Sequence, residues 1–270
     1  MSRSYLFIPG NTPSMIQNLD VFDSDAIIID FEDSVNTFDK DSARILIKNF
    51  LTKYSYDEVD IYIRINSTDS TDFYSDVNET NDLDITGYVL PKASVEAIKQ
   101  LNRITDKSII PIIESPLSLL KTEDICKQKN VVALLFGAED YTKELGIKRS
   151  LEAKEILYAR SIIAITANAY NIDAIDTPYT LKEDDKGLFI DAVNARNLGF
   201  TSKSSIHPNQ VVIINKVFSP SLEEITEAKR IIKKSEETKK GAFSLDGKMI
   251  DLPIIEKAKK VLEKAKKYNL

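Results

Sequence analysis

Carboxylates and one guanidinium recur where apolar stretches of this chain come to an end. In "AIIIDFEDSV", residues 26–35, four apolar residues run straight into Asp30, Phe31, Glu32 and Asp33. Arg64 sits in "YIRIN" between Ile63 and Ile65, Glu114 in "PIIES", and Asp140 in "FGAED". Glu114 and Asp140 offer two hard oxygen donors with no nitrogen or sulfur ligand between them. Such a set suits magnesium or manganese, since Mg²⁺ is commonly held by one or two carboxylates and keeps its other positions for water and substrate. A second reading stays open, in which the two acids cap helices or pair with Lys92 and Arg64. Arg64 also has two readings. An arginine inside an apolar strand is costly unless it meets an anion, and that anion is either a structural partner or a substrate oxygen on which charge develops.

These residues need elements that bring them together. Short apolar runs alternate with longer amphipathic segments, the pattern of parallel strands joined by helical crossovers. The runs fall at 4–10, 26–33, 60–66, 87–93, 108–115, 131–140, 173–179 and 202–208, which makes eight. Eight such units predict an α/β fold of the (β/α)8 TIM-barrel type, whose active sites lie at the carboxyl ends of the strands. Neither a GxGxxG nor a Walker loop is present, and the whole chain has eight glycines, so a doubly wound nucleotide-binding sheet is disfavoured. Segments 42–54 and 151–170 carry apolar residues at helical spacing and are predicted to pack on the barrel. After the eighth strand the sequence predicts a charged helix over about 221–239, a stop at Gly241, a hairpin turn at Asp246-Gly247 and a last helix over about 254–268. The expected organisation is a barrel over 1–218 with a helical C-terminal extension over 219–270.

In that fold Pro9, Glu32, Asp33, Arg64, Asn66, Lys92, Glu114, Asp140, Asp176 and His207 converge on one mouth. Pro9, Asn66 and Lys92 therefore join Arg64 and Glu114 as candidate substrate contacts. Side chains alternate along a strand, so only one of Glu32 and Asp33 is expected to face the axis, the other bracing nearby cations. Glu139 is expected on the face opposite Asp140. Lys92 could be read as a Schiff-base nucleophile, but a lysine beside acids is more often paired. His207 is the only histidine. No serine or cysteine stands in a nucleophile-elbow setting, so a hydrolase triad is not expected and His207 reads as a hydrogen-bonded structural residue.

Composition excludes other classes. With 36 basic and 42 acidic residues and a net charge of −6, the chain has no basic field for nucleic acid. Its apolar stretches are far shorter than the roughly 20 residues a membrane helix requires, so no membrane partner is expected. The single Cys126 cannot form an internal disulfide, and the expected setting is a reducing cytoplasm.

Taken together, the motifs resemble the citrate lyase β-subunit and malyl-CoA lyase group of the HpcH/HpaI aldolase superfamily. The resemblance spans nearly the whole chain, through "SYLFIPGN", "DFEDSV" with "KDSAR", "YIRIN", "LPK", "PIIESP", "FGAEDYTKELG", "AIDTPY", "IHPNQ", "FSPSLEEI" and "DGKMIDLPIIEKA". It implies a Mg²⁺-dependent lyase that cleaves a citryl-, citramalyl- or malyl-type thioester of CoA or an acyl carrier protein. The products would be an acyl thioester and a ketoacid such as oxaloacetate, pyruvate or glyoxylate. It implies Glu114 and Asp140 as metal ligands, Arg64 at the enolate oxygen with Glu32 and Asp33 orienting it, and Asp251 of "MIDLP" as an acid/base residue closing over a neighbour's site. The resemblance also implies a trimer or hexamer, with or without other citrate lyase subunits. A non-catalytic metabolite-binding or scaffold subunit is the alternative. Two departures, Ser202 before the lysine of strand eight and Ala93 after Lys92, concern substrate dimensions.

Overall fold

The computed structural model describes residues 2–238 and 241–270. The chain divides into two compact units, Met1–Asn215 and Lys216–Leu270. Eight parallel strands close the first unit into a barrel: β1 Ser4–Pro9, β2 Ala26–Asp30, β3 Asp60–Arg64, β4 Gly87–Leu90, β5 Ser108–Ile113, β6 Ala133–Phe136, β7 Asp173–Asp176 and β8 Ser202–Ser205. Helices follow as α1 Pro13–Ile16, α2 Lys40–Leu51, α3 Phe73–Thr80, α4 Val95–Leu101, α5 Pro116–Leu120, α6 Thr122–Cys126, α7 Ala138–Glu144, α8 Leu157–Ala169, α9 Asp185–Leu198 and α10 Pro208–Phe218. Order and closure are those expected from the alternation of apolar and amphipathic segments. The strands stop earlier than the apolar runs suggested. β2 ends at Asp30 rather than Asp33, and β6 ends at Phe136, so Asp140 lies on a helix and not at a strand tip. Acidic residues are favourable in the first turn of a helix, where Glu139 and Asp140 now stand.

Register decides which side chains meet. Tyr5, Ile28, Tyr62, Val89, Ile110, Leu135 and Ile175 pack inside the barrel. Residues two further along a strand share that face. Asp30 follows Ile28, Arg64 follows Tyr62, and the two are register partners, so both enter the mouth side by side. Asp176 has the opposite parity to the inward Ile175 and faces the helix layer, contrary to the expectation that it would line the mouth. There it meets Arg160 of α8, Asp191 of α9 and Lys203 of β8 in a buried quartet. That partnership explains how so polar a strand as "SKSS" can be buried throughout.

The second unit contains α11 Leu222–Thr238, a hairpin of β9 Phe243–Leu245 and β10 Lys248–Ile250, and α12 Leu252–Lys267. The expected end of the charged helix at Lys239 lies outside the described residues. Asp246 and Gly247 both have positive φ, as a two-residue hairpin turn of this hand needs. Ala228, Ile231, Ile250, Ile255 and Ala258 form this unit's own apolar cluster.

Candidate active site

Arg64 is the most heavily braced group at the mouth. Its Nε donates to Asp30 Oδ1 and its Nη2 to Asp30 Oδ2, both at 2.7 Å, a planar fork on a carboxylate. Asp30 is itself fixed by the backbone N–H groups of Glu32 and Ser34, at 2.8 and 3.0 Å. Burial alone would raise the Asp30 carboxyl, but the hydrogen bonds and charge of Arg64 hold it below its ordinary range. On the other edge of the guanidinium, Nη1 lies 2.9 Å from Glu32 Oε2 and 3.2 Å from Asp33 Oδ2. Burial opposes the charge of Arg64, yet these carboxylates, Asp30 first, raise its pKa. The ring of Phe7 lies 5.2 Å from the guanidinium carbon. The alternation argument for Glu32 and Asp33 is corrected here: the strand has already ended, and the turn aims both side chains at the same nitrogen.

That turn has its own support, and Asn66 belongs to it. Asn66 is 5% exposed; its Nδ2 donates to Phe31 O and Asp76 Oδ2, and its Oδ1 accepts from Lys40 Nζ at 2.6 Å. Lys40 also donates to the Phe31 and Glu32 carbonyls. With its amide fully engaged beneath the turn, Asn66 holds the loop that carries Glu32 and Asp33 instead of contacting substrate, a correction to the sequence expectation.

Glu114 follows the last residue of β5 and is 9% exposed. Its Oε1 accepts the backbone N–H of Lys92 at 2.5 Å. Lys92 sits at φ 48°, in the left-handed region that costs a non-glycine residue about 1–3 kcal/mol. The Lys92 backbone positions Glu114, while its side chain lines the adjoining groove. Gly137 completes the seat: a Cβ there would lie 2.6 Å from Glu114 Cβ and 3.0 Å from its Oε2. Burial, chiefly, and the nearby charge of Asp140 push the Glu114 carboxyl up to about 7, against the Lys92 hydrogen bond and Arg64. Glu32 is pushed up to about 8 by burial and then by Asp33 and Glu114, with Arg64 opposing.

Asp140, half exposed in the first turn of α7, pairs with Lys143 at 3.5 Å. Glu139 turns the other way, to Arg149 at 3.0 Å. Two spaces share Asp33, Glu114 and Asp140 in their walls. One is a cavity of about 410 Å³ over the barrel axis, lined by Phe7, Pro9, Arg64, Leu135 and Thr177. The other is a groove of about 1130 Å³ that passes Lys92, Ser94, Leu117, Lys121 and Lys127. Asp251 belongs to the second unit, where its carboxylate accepts the Ile254 N–H and caps α12. His207 Nδ1 accepts the Asn209 N–H at 3.3 Å.

Among the described residues no group of three or more His, Cys, Asp or Glu is arranged to hold a metal. Glu114 and Asp140 form a pair of hard oxygen donors instead. Their charges repel, one is desolvated, and a divalent cation between them would relieve both costs. These donors are of the kind magnesium takes.

The model of the HpcH/HpaI aldolase/citrate lyase family matches residues 3–208. The chain belongs to this family. Within the HpcH/HpaI family, it is 34% identical to the citrate lyase subunit beta of Haemophilus influenzae, over 98% of this chain and 97% of that one. It is 30% identical to the human mitochondrial citramalyl-CoA lyase, over 95% of this chain and 83% of the relative. A crystal structure of CitE from Mycobacterium tuberculosis, in complex with magnesium, acetoacetate and coenzyme A, superposes with a TM-score of 0.84 at 26% identity, covering 97% of both chains. From sequence, Asp30 counts among the carboxylates of its run but is given no role, and Gly137 and Thr177 do not figure. Asp30 was findable: its parity with Ile28 would have marked it as inward-facing once β2 was known to end there.

Proposed function

We propose that the protein is a Mg²⁺-dependent carbon–carbon lyase acting on a β-hydroxyacyl thioester of the citryl, citramalyl or malyl type. The observation that carries this reading is a single mouth in which a braced guanidinium stands beside a partly desolvated pair of carboxylates. Glu114 and Asp140 are the residues that would hold the metal. When bound, Mg²⁺ supplies a Lewis acid that polarises the oxygens of the ketoacid half of the substrate.

The chain's own residues account for the rest. The substrate hydroxyl gives its proton to water, the carbon–carbon bond breaks to give the ketone of the ketoacid, and the bonding electrons pass to the thioester carbonyl as an enolate. Arg64 faces that oxygen with a charge already in place, and preorganised charge is worth several kcal/mol at such a position. Asp30 prevents the guanidinium from turning away as charge develops, while Glu32 and Asp33 set its second edge. A proton delivered to the enolate carbon yields the acyl thioester. Asp251, supplied by a neighbouring subunit of a homotrimer or hexamer, is our assignment for that acid. The cavity over the axis, with Pro9 in its wall, takes the ketoacid half. The groove along Lys92 and Lys121 takes a phosphopantetheine thioester arm, whose phosphate the lysines suit. Its source is CoA, used without other citrate lyase subunits, or a carrier protein, used together with them. We infer a cytoplasmic setting, in keeping with a chain whose single cysteine, Cys126, has no internal disulfide partner.

The test incubates purified protein and Mg²⁺ with citryl-, citramalyl- and malyl-CoA and with a carrier-bound citryl thioester, following ketoacid release. Activity with at least one, abolished by EDTA and by Asp140→Asn, is expected. No ketoacid from any of them would defeat the assignment.

A further inference from the structure

Helix α7 carries Asp140, and it begins without a cap of its own. Its N-cap residue is Gly137, which has no side chain to accept an N–H from the first turn. The glycine is needed because Glu114 occupies the space of its Cβ. One of the helix's unpaired donors finds an acceptor elsewhere in the fold: the Ala138 N–H donates to Thr177 Oγ1 at 3.3 Å. Thr177 comes from the loop after β7, 39 residues further along the chain.

We propose that Thr177 is the positioning residue for Asp140, acting as an N-cap supplied to α7 from the neighbouring strand; this rests on Asp140 being a metal ligand. Thr177 is 1% exposed and is itself anchored, because its carbonyl accepts Lys203 Nζ at 2.7 Å. Lys203 in turn is held by Asp176 at 2.5 Å and Asp191 at 2.6 Å. Arg160 forks onto Asp176 at 2.8 and 2.9 Å and reaches Asp191 at 2.8 Å, closing the quartet. The buried charges behind β7 and β8 thus fix a hydroxyl, and the hydroxyl fixes the start of a helix seven residues long. So short a helix has little stability of its own and takes its position from such tertiary contacts. Glu114 and Asp140 are coupled by this arrangement. The missing side chain that makes room for one removes the local cap of the helix bearing the other, and Thr177 replaces it.

The test measures Mn²⁺ binding by calorimetry, without substrate, in wild type, Thr177→Val, Thr177→Ser and Asp140→Asn. Valine keeps the shape and removes the hydroxyl, so affinity should fall roughly tenfold, the lower end for groups that orient metal ligands. Serine should restore it. In turnover, the apparent Mg²⁺ activation constant should change more than kcat. In wild type, the Ala138 amide should exchange its hydrogen slowly, a measurement that stands even if the valine variant does not fold. Wild-type affinity in Thr177→Val, no rescue by serine, or unprotected exchange at Ala138 would overturn the inference alone. A wild type that binds no Mn²⁺, or an Asp140→Asn that binds as well as wild type, would overturn the metal site and the inference with it.

Discussion

Gly137→Ala adds one methyl group where Glu114 already stands. The new Cβ would lie 2.6 Å from Glu114 Cβ and 2.9 Å from Ile112 Cγ2. Carbon atoms in comfortable contact are about 3.5–4.0 Å apart, so either Glu114 or the start of α7 must move by about 1 Å. Overpacking of this kind costs about 1–3 kcal/mol in stability. The functional cost should be larger, because a 1 Å misplacement at a reacting centre is worth on the order of 100-fold in rate. Metal affinity should fall by about 10- to 100-fold, since Glu114 leaves the Lys92 N–H or Asp140 shifts with its helix. Gly241→Ala is the matched control, with nothing among the described residues within 4 Å of its new Cβ, and should behave as wild type. Mn²⁺ calorimetry, thermal unfolding and ketoacid release are compared across the three proteins. A Gly137→Ala variant that binds metal and turns over like wild type would refute the claim that this glycine seats Glu114.

Arg64→Lys should keep metal binding and lose most activity, because a point charge cannot reproduce the forked contact with Asp30 or face the enolate in a fixed orientation; equal turnover would remove Arg64 from the mechanism. Lys92→Gly keeps the backbone N–H that Glu114 accepts and relaxes the positive φ, so metal affinity should hold and thermal stability should not fall, whereas a weaker thioester KM would report the lost side chain. The raised Glu114 carboxyl has a signed consequence: between about pH 4.5 and 7 the folded metal-free protein keeps a proton that the unfolded chain gives up, so its stability falls as pH rises across that window, by at most about 3 kcal/mol. Thermal unfolding against pH should show this component in wild type and not in Glu114→Gln, and saturating Mg²⁺, which competes with the proton, should offset it. Identical pH slopes for the two metal-free proteins would contradict the assignment.

The barrel was legible because parallel strands covered on both sides must be apolar, and eight such runs alternating with helical segments leave few alternatives. β8 is the exception. The strand itself, "SKSS", contains no apolar residue, although the run 202–208 counts among the eight, and its burial depends on partners at Asp176 and Asp191 that no local pattern announces. Polar residues at the ends of apolar runs pointed to Arg64 and Glu114 for the same physical reason: a charge in such a place must have a partner. Which carboxylate would be that partner was not legible. Asp30, Glu32 and Asp33 are chemically alike, and a difference of three residues in where β2 ends decides that Asp30 forks the guanidinium while the other two take its far edge.

From the sequence alone came the number of barrel strands, the end of the barrel at which polar residues gather, and the acids and guanidinium proposed to act there, all consequences of periodicity and of the cost of burying charge. Tertiary structure alone decided the strand ends, the bent backbone at Lys92 that holds Glu114, the empty volume at Gly137 and the hydroxyl of Thr177 on a helix it does not belong to. These are relations between residues far apart in the chain, and a linear pattern carries no record of which surfaces will be pressed together.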